Sequence, residues 1–232
     1  MKCAKKGELD PTYKYAGMSA DDILKQWHEK SEKSKYYGRM LDDFSGMILN
    51  NETDKLEQWK IDKDFENDKL LNHFCNGFLQ FYNFITSKTN YKFLTREIPL
   101  YTQTPNGDKI NGRLDNLFYD ENTNAYIIID YKTTENITTY NNYGNKLLGP
   151  AYIYDECDMN IYTIQLHIYK KALVDTYNLT TYDKISVYVC NLLRNTDNNI
   201  NYKLYKQNFD FNPYQLDSFI EFGSAKHKLL KF

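Results

Sequence analysis

An apolar run that ends abruptly on a charged residue constrains a fold strongly, and this sequence carries one at Ile127-Ile128-Ile129-Asp130-Tyr131-Lys132. Three β-branched residues in a row suit a strand buried on both faces, which cannot continue into solvent without changing composition. Side chains alternate across a strand, so Asp130 and Lys132 share one face and Tyr131 takes the other. The strand before it, within residues 111–134 (NGRLDNLFYDENTNAYIIIDYKTT), carries Arg113 and Asp115 on one face and Leu114 on the other, and a polar turn at 120–124 joins the two. Two acids and an amine therefore gather at the end of a buried hairpin.

Such a set is costly to assemble. Two carboxylates about 4 Å apart repel by roughly 4 kcal/mol at an effective dielectric near 20, so the pair invites a cation. Oxygen donors without histidine or thiolate suit Mg²⁺ or Mn²⁺ rather than zinc. A protonated lysine cannot be a ligand, but it can orient an attacking water or help deprotonate it, and a phosphodiester is the natural target. In isolation, an Asp-x-Lys would read as a surface ion pair at a strand end. The surrounding chain decides between the two readings.

Ser19 with Asp22 resembles an N-cap and its acidic partner, opening a helix through Ile23, Leu24 and Trp27. A second helical pattern covers about 34–49, with Tyr37, Met40, Leu41, Phe44 and Ile48 in register. Gly38 and Asp42 stack on one face of it, where the glycine would admit another backbone beside the acid; on its own, Asp42 would be an exposed helix acid. Residues 52–65 read as a short helix or loop anchored by Trp59, and 68–85 as a well-marked amphipathic helix in which His73 is a packed or surface residue.

A strand at 91–101 with Glu97 on it, the turn Pro105-Asn106-Gly107-Asp108, and strands at 110–119 and 125–131 predict an antiparallel meander. Residues 135–157 form a long aromatic-rich connection. The spacing predicts a helix over 158–177 whose stripe is Ile161, Ile164, Ile168, Ala172 and Leu173, with Gln165 and Tyr169 on an adjoining face beside Tyr162. A strand over 184–192 then pairs parallel with the third strand through that crossover. Asp197-Asn198-Asn199 turns into a strand over 200–206, and Asn212-Pro213 opens a last helix.

A length of 232 residues allows one domain: a mainly helical part over 1–90, a sheet core over 91–206 and a C-terminal helix over 207–232. No long apolar run or leader pattern is present, which predicts a soluble chain, with no membrane partner, in the cytoplasm of a cell or of a virus's host. A net charge of −2 announces no polyanion partner, so nucleic acid would be met by local patches. The candidates are residues 1–40, with nine Lys or Arg against six Asp or Glu, and the tail with Lys226, Lys228 and Lys231. Either patch alone reads as a solvated face. The 22 tyrosines, with abundant Asn, Lys and Ile, point to an A/T-rich genome and to no activity. Cys3, Cys75, Cys157 and Cys190 are scattered, as free thiols in a reducing compartment would be.

The order of these parts resembles the PD-(D/E)XK nuclease superfamily, and within it the RecB, Cas4 and lambda-exonuclease group. Gly38 to Asp42 resembles that group's GxxxE or GxxxH helix motif, and Gly112-Arg113-Leu114-Asp115 its GxxD strand. Asp130-Tyr131-Lys132 with Thr133 resembles its DxK strand, and Gln165 to Tyr169 its QxxxY helix. The resemblance implies a restriction-endonuclease-like α/β core with a mixed central sheet flanked by helices. It implies Mg²⁺ or Mn²⁺ held by Asp115, Asp130 and the Tyr131 carbonyl, with Lys132 positioning the water. Gln165, Tyr169 and Thr133 would brace the site or touch substrate.

Asp42 stands where the group has Glu or His, one methylene shorter than Glu, and is a further candidate ligand, direct or through water; Glu97 would sit behind the ligands. Some relatives hold an iron-sulfur cluster, and the scattered cysteines predict none here. The implied activity is hydrolysis of DNA, favouring an exonuclease in recombination, repair or end processing, alongside recombination or annealing proteins and with an oligomer open. An endonuclease of the same fold and a catalytically silent DNA-binding or assembly module remain the alternatives.

Overall fold

The computed structural model describes residues 12–180, 182–193, 200–206 and 210–229. The meander forms because short polar turns join its strands and the β3 run is apolar on both faces. β1 (Tyr91–Gln103), β2 (Lys109–Asp120) and β3 (Ala125–Lys132) pair antiparallel in order. The apolar run divides as alternation requires. Ile127 and Ile129 enter one core with Phe44, Phe74, Phe78 and Phe118, while Ile128 enters a second with Ile98, Leu166, Val187 and Val189.

Helices fill those two faces. On the first, α1 (Ala20–Leu49) is one continuous 30-residue helix, where the sequence pattern had predicted two. Ser19 and Asp22 form the expected capping box, and no Gly or Pro lies between residue 20 and Gly38 to interrupt the backbone ladder. α2 (Thr53–Asp62) buries Leu56 and Trp59. α3 (Lys69–Lys88) is capped by Asp68, whose carboxylate accepts from the Leu71 N–H at 3.0 Å. Burial of Phe74, Phe78, Phe81 and Ile85 from α3 contributes on the order of 2 kcal/mol per side chain.

On the second face, α4 (Asp158–Tyr177) has the bounds its spacing predicts, and of the predicted stripe Ala172 and Leu173 are buried, Ile164 and Ile168 half-buried and Ile161 exposed. Ile161 is 46% exposed, while Thr163, His167, Lys170 and Lys171 are buried. The helix is covered on two sides, by the sheet and by the segment around Phe211, so polar residues turn inward and find partners. The Lys171 ammonium reaches Asp175 at 2.6 Å and the Thr102 hydroxyl at 3.1 Å. Thr163 donates to the Met159 carbonyl at 2.7 Å.

β4 (Ile185–Leu192) follows α4 and pairs parallel with β3, and β5 (Tyr202–Lys206) closes the order β1-β2-β3-β4-β5 antiparallel to β4. α5 (Pro213–Leu229) begins where Asn212 and Gln215 bond each other's backbone N–H. The result is a mixed five-stranded sheet between helical layers. The turn at 197–199, Cys3 and the side chains of the basic tail lie outside the described residues. Among the described residues, no helix is long and apolar enough to cross a membrane.

Candidate active site

The hairpin register builds the site. The pairing runs from Asp120 with Ala125 to Asn116 with Ile129; just beyond its end Asp115 and Asp130 interact through their side chains. Side chains opposed across neighbouring strands start about 5 Å apart at Cβ, close enough for two carboxylates to meet. β4 lies on the other side of β3, with Val189 opposite Asp130, Cys190 opposite Tyr131 and Asn191 opposite Lys132. Asp130 is thereby 4% exposed. The Lys132 ammonium stands 2.7 Å from Asp130 Oδ2 and 4.9 Å from the centre of the Tyr162 ring.

Electrostatics follows from this crowding. Burial, and then the charge of Asp130 beside it, push the Asp115 carboxyl up to about 8, with Lys132 pulling the other way. Burial lowers the Lys132 ammonium, but Asp130 and Asp115 outweigh it and the net direction is up. In the metal-free site Lys132 therefore holds its proton and can orient a water or meet developing negative charge. Asp130 Oδ2 is buried with the ammonium beside it, so the lysine meets the charge of that oxygen in the resting site.

Asp115 opens on a cavity of about 310 Å³ walled also by Asp42, Glu97, Arg113, Lys132 and Thr133, with Asp130 buried behind that wall. Tyr131 also lines it, although its ring packs edge-on against Phe78 and Phe81 in the first core. A slightly larger cavity of about 350 Å³, along Ile98, Pro99, Leu117 and Leu173, is mainly apolar and lacks the acid and lysine set. Among the described residues, no group of three His, Cys, Asp or Glu side chains comes close enough to hold a metal. The converging acids are the pair Asp115 and Asp130.

The other predicted residues take particular places. Gly38 lines the cavity, and a Cβ there would meet nothing within 4 Å, so the glycine admits no neighbouring backbone as the sequence reading supposed. It leaves the mouth of the cavity clear. Asp42 reaches the wall, but its carboxylate is taken by Arg96 of β1. Gln165 donates to the Tyr169 hydroxyl at 3.0 Å, and the Tyr169 ring lies over Gly112, where a Cβ would stand 3.2 Å from it. Neither Gln165 nor Tyr169 lines the cavity. The α4 side chain that does approach the lysine is Tyr162.

Sequence reasoning missed three further participants. Arg96 bridges Asp42 and β1, next to Glu97, which holds a left-handed backbone (φ 55°) and pairs with Arg113. Gly46 leaves the space that the Arg96 guanidinium fills. Asn191 is fully buried and, with its NH₂ turned toward β3, donates to the carbonyls of Lys132 (2.9 Å) and Thr134 (3.2 Å). Only an arginine beside the flagged Glu97 could have hinted at the first of these, since the rest depend on pairing across the fold.

No family profile matches the sequence, and no curated protein does. A solved structure named "Putative exonuclease", from Eubacterium rectale, aligns over 84% of this chain at 11% identity with a TM-score of 0.46. This chain spans 65% of that longer one. A likeness of that size assigns no role to any residue.

Proposed function

We propose that this chain is a Mg²⁺- or Mn²⁺-dependent nuclease of the PD-(D/E)XK kind that hydrolyses DNA phosphodiester bonds, with exonuclease action in recombination, repair or end processing as the favoured role. The observation that carries the reading is the contact of Asp115 with Asp130 from the neighbouring strand, where Asp115 and Lys132 line an open cavity and Lys132 pairs with Asp130. The donor set fits a hard divalent cation: two carboxylates crowded enough that Asp130 raises the Asp115 carboxyl, with no thiolate or imidazole beside them. Asp115 and Asp130, with the Tyr131 carbonyl, would hold the ion, which when bound supplies Lewis-acid charge to the phosphodiester.

The protein's own groups do the rest. Lys132, kept protonated by Asp130, orients the attacking water and meets negative charge as it develops on the phosphate. Arg113 reaches the cavity from an exposed position and suits a backbone phosphate. Asn191 fixes the strand end that carries the lysine. In this reading residues 1–232 act as one domain.

The test is cleavage of linear, nicked and covalently closed circular DNA with Mg²⁺ or Mn²⁺. Cleavage of linear but not closed circular DNA is expected. Cleavage of both indicates an endonuclease of the same fold. No cleavage with either metal, by folded protein that binds DNA, overturns the enzymatic reading in favour of a silent module.

A further inference from the structure

Asp42 shares the cavity wall with Asp115 and Glu97, and its position is odd. It lies near enough for its charge to act on Asp115, yet it does not join the pair. What holds it is visible. Arg96 comes off β1 with its side chain only 16% exposed, and its guanidinium bonds the Asp42 carboxylate and stands 3.9 Å from Glu97. The guanidinium occupies a notch in α1 that exists because residue 46 is glycine. A Cβ built at Gly46 would fall 1.5 Å from a terminal guanidinium nitrogen. Glycine inside a helix costs about 1 kcal/mol relative to alanine, so the notch is maintained at the expense of the helix. The next residue of β1, Glu97, holds a left-handed backbone and pairs with Arg113, which anchors the segment that aims Arg96.

We propose that Arg96, seated in the Gly46 notch, is a latch that holds Asp42 away from Asp115 and Asp130. The resting site is then a two-carboxylate site with a third acid in reserve, and unseating Arg96 converts it to a three-carboxylate site with higher affinity for a divalent cation. This rests on the metal-dependent reading above. A latch of this kind sets how tightly the ion is held before substrate arrives, because charged ligand count tunes divalent affinity. Arg96 is a positioning residue and touches neither ion nor substrate.

The test reads Mn²⁺ binding to the 232-residue chain by electron paramagnetic resonance, without DNA, at about 0.3 M KCl so that interactions beyond roughly one Debye length are damped. Two variants unseat the latch differently. Arg96→Met removes the charge at similar bulk, and Gly46→Ala keeps every charge and displaces the flexible end of Arg96. Both are expected to tighten Mn²⁺ binding about tenfold or more. Asp42→Asn should change wild-type affinity by less than about threefold, and should abolish the gain in either latch variant.

A gain with Arg96→Met that persists after Asp42→Asn would reduce Arg96 to a general charge effect and overturn the latch. Wild-type-like binding by folded Gly46→Ala, or a strong loss with Asp42→Asn alone, would overturn it too. Asp115→Asn separates the two levels. If it leaves Mn²⁺ binding intact, the parent reading fails. If it abolishes binding while Asp42 and Arg96 show no coupling, only the latch fails.

Discussion

Replacing Asp115 with Asn in metal-free protein tests the electrostatics of the site without relying on turnover. The wild-type carboxyl is held up to about 8 by burial and by Asp130, against 3.8 for the same group in an unfolded chain. Between those values the folded state keeps a proton that the unfolded state has released, so stability falls as pH rises across this window and levels off above it. Two unit charges about 4 Å apart exchange roughly 4 kcal/mol at an effective dielectric near 20, and the open cavity and Lys132 offset about half, leaving ~2 kcal/mol to recover.

For a chain of this length ~2 kcal/mol corresponds to a melting shift of roughly 4–8 °C. Thermal unfolding in EDTA should therefore find Asp115→Asn melting above wild type by about that amount near pH 8.5, with the gap closing toward pH 4. Adding Mg²⁺ should raise the wild-type midpoint and not the variant's. A variant that melts below wild type by the same margin at both pH values would mean that the two acids do not share a crowded site.

Lys132→Ala should fold and bind DNA as wild type does and lose turnover by about 100-fold or more, measured on linear duplex with Mn²⁺. A normal rate would remove the lysine from the site. Asn191→Ala leaves the Lys132 and Thr134 carbonyls without their donor and should cost about 1–3 kcal/mol in chemical denaturation, with a fall in turnover and little change in DNA affinity. A loss of stability alone would make Asn191 structural. Gly77→Ala puts a Cβ 2.5 Å from the Asn201 carbonyl oxygen, a backbone atom that cannot swing aside, and should cost about 1–3 kcal/mol. An unchanged midpoint would contradict the packing of α3 against the segment entering β5.

Much of the site was legible because its two acids are local to one hairpin. The Ile127–Ile129 run and the polar turn fix β2 and β3, alternation fixes the face, and the meeting of Asp115 with Asp130 follows from loop length. The parallel β4 was legible for a similar reason, since a crossover helix leaves it one natural partner. Three kinds of feature were hidden. The merger of two helical patterns into α1 depends on nothing interrupting 28–33, which periodicity does not score. The buried face of α4 widens because of its second cover, so a one-sided stripe finds Ala172 and Leu173 but misplaces Ile161 and misses Thr163 and His167. Arg96, Gly46 and Asn191 act through contacts between elements far apart in sequence, and none stands out as a residue type at its position.

The central claim is that Asp115 and Asp130 jointly hold one divalent cation, and a Mn²⁺ titration followed by electron paramagnetic resonance tests it directly. One ion per chain is expected in wild type, with affinity weakened at least about tenfold in both Asp115→Asn and Asp130→Asn and unchanged in a distant control such as Asp62→Asn. Binding that survives in either site variant, or Mn²⁺ that fails to bind folded wild type, would contradict it.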